Sequence, residues 1–187
     1  TELIRTRKEE IIEIKEILER LDFLNSKTVY SLERRCTVPK IINKEYLKLV
    51  EAKHPLIDEN KAVPINFELG NSENIMLITG PNTGGKTVTL KIAGLLTVMA
   101  LSGIPVPAGE KTEIGHFSNV LSDIGDEQSI EQNLSSFSGH VSKIKEIMED
   151  ANHKSLVLMD ELGSGTDPME GAAFAMSIID YLNRKNI

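Results

Sequence analysis

Eight residues, Gly80-Pro81-Asn82-Thr83-Gly84-Gly85-Lys86-Thr87, constrain this chain more than any other stretch. They fit the pattern G-x-x-x-x-G-K-[ST]. Glycines at this spacing let the backbone curl until successive N–H groups converge on one concavity, which is a cradle for an anion. The flanks suit that geometry. Ile75-Met76-Leu77-Ile78-Thr79 precedes the motif and has the look of a buried parallel strand. From Lys86 to about Leu101 the apolar residues fall at helical spacing, ending before Gly103 and Pro105. A helix starting there adds the positive end of its dipole to the cradle. Such parts grip the phosphates of a nucleoside triphosphate: the backbone from Gly80 to Val88 surrounds them, Lys86 reaches the β- and γ-phosphates, and the Thr87 hydroxyl ligates Mg²⁺. A chance glycine-rich turn would lack the strand before and the helix after.

The expected counterpart lies further on. Leu156-Val157-Leu158-Met159 is a second short apolar run and ends in Asp160-Glu161. An acid at the end of a buried strand serves magnesium, so Asp160 joins Thr87 as a candidate metal residue. Glu161, one position later, is placed to polarise an attacking water, which makes it and Lys86 the leading catalytic candidates. An apolar run ending in two acids is common by itself, and it gains meaning from the glycine-rich motif. Gly163-Ser164-Gly165-Thr166-Asp167 follows, either a plain turn or a loop that carries news of the γ-phosphate to a neighbour. Asp167-Pro168 reads as an N-cap with proline in the first helical turn.

Strands alternating with helices predict an α/β domain with a mainly parallel sheet and flanking helices. Further helix is expected over residues 136–150 and a strand near 117–122. Before the domain, residues 1 to about 34 are charge-rich, with Ile4, Ile11, Ile14, Leu18 and Leu21 at helical spacings. This segment is either an amphipathic helix packed on its own domain or a lever arm. The division expected is a helical lever and connector over 1–46 and the nucleotide-binding domain over 47–187, the chain being an excised, C-terminally truncated fragment. The net charge of −7 argues against a DNA grip through this surface alone. Cys36 is the only cysteine, which excludes a disulfide framework and fits a cytoplasmic setting. No apolar run is long enough to span a bilayer, and His116, His140 and His153 have no metal-site spacing.

The combination of GPNTGGKT, Ser135-Ser136-Phe137 and MDELGSGTDP resembles the MutS family of ATPases. The stretches Asp123 to His140 (DIGDEQSIEQNLSSFSGH) and Thr166 to Ala173 (TDPMEGAA) look like its bacterial MutS-two branch, whose members are described as endonucleases. The resemblance runs from about Leu21 to the end. It implies an ABC-type P-loop ATPase hydrolysing ATP to ADP with Mg²⁺, working as a homodimer with composite sites. Ser135 and Ser136 would then contact the γ-phosphate across the dimer; taken alone, they read as a helix N-cap, a role compatible with that contact. Gln128 resembles the residue that senses magnesium and the attacking water, and otherwise reads as a loop amide. Adenine contacts in the family come from the loop before the P-loop strand, which suggests Ala62, Val63 and Pro64. His54, before Pro55, is expected to shape a loop. The resemblance also implies a later strand with a Thr-His pair, and DNA or stalled-ribosome partners reached through other domains, among them a nuclease-type domain. A piece lacking that strand is expected to bind nucleotide and turn over poorly.

Overall fold

The structure, a computed structural model, describes residues 6–81, 84–125 and 136–187. Among the described residues there are six strands and four helices. Helix α1 (Lys8–Glu33) leads into β1 (Lys40–Ile42), β2 (Leu47–Ala52) and β3 (Ile65–Leu69). Helix α2 (Lys86–Leu101) follows, then β4 (Glu113–Gly115), β5 (Asn119–Asp123), α3 (Ser136–Asp150), β6 (Ser155–Met159) and α4 (Pro168–Arg184).

The mainly parallel P-loop sheet of the expected ABC type is not what forms. The strands divide into a four-stranded sheet, ordered β1-β4-β2-β3, and a separate β5-β6 pair. In the larger sheet only β1 and β4 run parallel; β2 pairs antiparallel with both β3 and β4. Residues 75–79, the run that was to be the central strand, adopt no strand. An apolar run is necessary for a buried strand but not sufficient, because a strand exists only when its backbone groups find a ladder. Here Met76 and Leu77 stay 45% and 73% exposed. A cavity of about 460 Å³ is lined by Ile75–Ile78 together with Leu156–Met159 of β6. The short strands β1, β3 and β4 carry no long apolar run of their own. β2, buried at Leu47, Leu49 and Ala52, pairs with β3 and β4, and β4 in turn pairs with β1.

Helix α2 is the element on which both sheets close. Its Ile92, Ala93, Leu96 and Ala100 share one core with Leu47, Leu49 and Ile114 of the larger sheet and Leu156 and Leu158 of β6. Burying each such leucine or isoleucine side chain contributes roughly 1.5–3 kcal/mol. Strand β6 alternates by the two-residue period of a pleated strand. Leu156 and Leu158 face α2, while Val157 and Met159 pack on Ile144 of α3 and Ile178 and Leu182 of α4. β6 is thus covered on both faces, with Leu156 and Leu158 buried and Val157 and Met159 half-buried, and Asp160 follows at its C-terminal end. By contrast, α1 buries no residue, and Ile14, Leu18 and Leu21 on it are each more than half exposed.

Candidate functional site

The glycine-rich loop enters α2 through Gly85, whose φ of 79° and ψ of 19° lie in the left-handed region that glycine adopts without a side-chain penalty. Gly84 N–H closes a turn onto the Pro81 carbonyl at 2.9 Å. Lys86 Nζ donates to the Gly80 carbonyl, so the ammonium is folded back over the loop. Thr87 is the first turn of α2, and its hydroxyl donates to Asp160 Oδ2 from 73 residues away. This contact brings the two motifs into one corner.

Asp160 is positioned from three sides. Its backbone N–H donates to the Asp123 carbonyl at 2.9 Å, which extends the parallel β5-β6 register by one step. One carboxylate oxygen takes the Thr87 hydroxyl, and the other accepts the Glu161 N–H at 3.1 Å. Glu161 has φ +47°, a conformation that non-glycine residues seldom occupy and that costs about 1–3 kcal/mol. The left-handed turn carries its exposed side chain out of line with β6. Ser164 N–H then bonds the Glu161 carbonyl at 2.9 Å. Asp167 caps α4 by accepting from Met169 N–H at 2.9 Å, with Pro168 in the first turn.

Thr87 and Asp160 offer a hydroxyl and a carboxylate oxygen side by side, hard oxygen donors of the type Mg²⁺ takes. The donor set therefore fits that ion. No separate cluster of three or more His, Cys, Asp or Glu with metal-holding geometry occurs among the described residues.

The other candidates fall as follows. Gly80, Pro81, Gly84 and Val88 surround Lys86 and Thr87 in sequence and belong to the same loop and helix start. Asn82, Thr83, Gln128 and Ser135 lie outside the described residues, and Ser136 is the first residue of α3. Val63 is 76% exposed on the segment between β2 and β3, where Ala62 N–H bonds the Asp58 carbonyl. His54 serves its loop: Nδ1 accepts from Leu56 N–H at 3.3 Å, and burial, then the nearby Lys91 charge, lowers its pKa. Burial raises the Cys36 thiol, which is the opposite of what a nucleophilic thiolate needs. One pair escaped the sequence: His140 on α3 bonds Asp123 at the end of β5, Nδ1 to Oδ2, at 2.9 Å. The 17-residue separation carries no recognisable spacing, so only the packing of α3 on β5 reveals it.

The start of α2, tied through Thr87 to the acid that follows β6, is where the two sequence motifs meet. Residues 76–187 match the family described as MutS domain V. The chain belongs to that family and is a MutS2-like member of it. It is 61% identical over 184 residues to an Endonuclease MutS2 of Fusobacterium nucleatum, covering 98% of this chain and 24% of the relative. An Endonuclease MutS2 of Caldanaerobacter subterraneus is 51% identical over 181 residues, 97% of this chain and 23% of its own length. One from Clostridium botulinum is 53% identical over 165 residues, covering 88% and 21% respectively. The chain thus spans about a quarter of the length of the curated relatives it matches. Among the described residues, no helix is long and apolar enough to cross a membrane.

Proposed function

We propose that this chain binds ATP with Mg²⁺ at the glycine-rich loop and hydrolyses the terminal phosphoanhydride. The observation that carries this is the Thr87–Asp160 contact, which joins a phosphate cradle to a metal-type carboxylate. With ATP in place, Lys86 would leave the Gly80 carbonyl and bind the β- and γ-phosphates. The loop amides and the start of α2 would neutralise the same oxygens. Thr87 and Asp160 would hold Mg²⁺, which when bound spreads the charge developing on the phosphoryl oxygens. Glu161 would orient a water in line with the γ-phosphorus and take its proton. Water oxygen bonds to phosphorus as the bond to the ADP oxygen breaks, yielding ADP and phosphate.

The remaining assignments rest on family likeness. Gln128, Ser135 and Ser136 would complete the site, the serines from a second subunit of a homodimer, and Val63 would lie near the adenine. The relatives' name, Endonuclease MutS2, supports a nuclease and DNA partner in proteins of that length, with a stalled ribosome as the other candidate partner. A cytoplasmic location goes with these partners.

Calorimetry of the chain with ATP and with ADP, each with and without Mg²⁺, tests the central claim. Binding that tightens with Mg²⁺ and is lost in Asp160→Ala supports it. No uptake of either nucleotide overturns it. Binding without phosphate release would restrict the role to nucleotide-dependent dimerisation.

A further inference from the structure

Three acids stand at the end of β5 and just past β6: Asp123, Asp160 and Glu161. Only Asp160 touches Thr87. Asp123 is engaged differently. Its carboxylate is held by His140 at 2.9 Å, and the two side chains are only 13% and 22% exposed. Its carbonyl accepts the Asp160 N–H. Hydrogen bonds therefore run without a break from α3 to the start of α2: His140 to Asp123, Asp123 to Asp160, Asp160 to Thr87.

We infer that His140 and Asp123 are positioning residues for the magnesium corner, an inference that rests on the nucleotide assignment above. The physical case has two parts. First, Asp160 is the first residue past β6, so its backbone is held on the β5 side by a single hydrogen bond to Asp123. Whatever fixes Asp123 fixes Asp160. Second, Asp123 lies opposite Met159 in the register, so its side chain is on the α3 face, while Asp160, one residue on, is on the α2 face with Thr87. His140 anchors the Asp123 carboxylate on the α3 face and thereby steadies the strand end to which Asp160 is bonded. Partners of this kind, which hold a ligand without touching the ion, commonly alter metal affinity by about 10–100-fold.

The test measures Mg²⁺ dependence of ADP binding in the full chain, as the Mg²⁺ concentration giving half of the affinity gain, beside Mg²⁺-free ADP binding. His140→Ala and Asp123→Ala should each raise that concentration about 10-fold while Mg²⁺-free binding stays within about twofold. The double variant should be no worse than either single one, because both remove the same tie. Asp123→Asn, whose amide oxygen still meets the His140 ring, should recover most of the wild-type value. If an alanine variant does not fold by circular dichroism, His140→Gln and Asp123→Asn carry the comparison, the former expected to weaken Mg²⁺ dependence and the latter to keep it. Unchanged Mg²⁺ dependence in folded variants overturns the inference, and so does equal loss of both kinds of binding, which would mark a purely structural pair. A wild-type chain with no Mg²⁺-dependent binding overturns the nucleotide assignment itself.

Discussion

Gly163 and Gly171 face each other so closely that a methyl on either would collide with the other's backbone. A Cβ built on Gly171 lies 2.1 Å from the Gly163 carbonyl oxygen, and one on Gly163 lies 2.3 Å from that of Gly171. The turn after Glu161 is therefore clasped to the first turns of α4, and only hydrogen fits between them. Gly163 also has φ +87°, so it carries both demands at once.

Gly171→Ala separates this contact from helix propensity. In an unconstrained helix the change stabilises by about 1 kcal/mol. Here the backbone clash should outweigh that gain and give a net loss of about 1–3 kcal/mol in urea denaturation. A stabilised variant would show that the clasp yields freely.

Glu161→Gln keeps the size and the left-handed turn but removes the proton acceptor. Nucleotide affinity should stay within about twofold, while phosphate release in a single turnover should fall about 100-fold or more. Unaltered release would remove Glu161 from the chemistry.

The loop around His54 predicts a pH response. Its pKa is lowered from 6.5 by burial and then by Lys91, so the folded state disfavours the charged ring. Above that value both folded and unfolded chains are neutral here, and the group contributes nothing to pH dependence. As the pH drops through it, the unfolded chain takes up the proton first, and stability declines until the lower folded-state pKa is passed. The wild type should thus lose more stability than His54→Asn on going from about pH 7.5 to about pH 5.5. Parallel denaturation midpoints for the two proteins over that interval would contradict it.

The sheet arrangement was the least legible part of the chain. Helices α2, α3 and α4 could be placed from apolar periodicity, Gly103 and the Asp167-Pro168 cap, because those signals are local. β6 was visible as well, since a strand buried on both faces is apolar throughout. The segment 75–79 is as apolar as β6, four residues of five in each, yet forms no strand. The difference is the partner: β6 has β5, paired from Asn119↔Ser155 to Asp123↔Met159, and that partner is set by chain segments more than 30 residues away. The three-residue strands β1 and β4 are too short for any period to show.

By itself the sequence determined the glycine-rich turn, the acid pair after β6 and the helix that starts at Lys86. Each depends on bonding within a few residues, where glycine freedom, charge and apolar spacing act directly. Only the tertiary structure decided that Thr87 reaches Asp160, that His140 holds Asp123, and that the strands separate into two sheets. Those outcomes depend on which distant backbone and side chains lie within hydrogen-bond reach, a property of packing that no local pattern encodes.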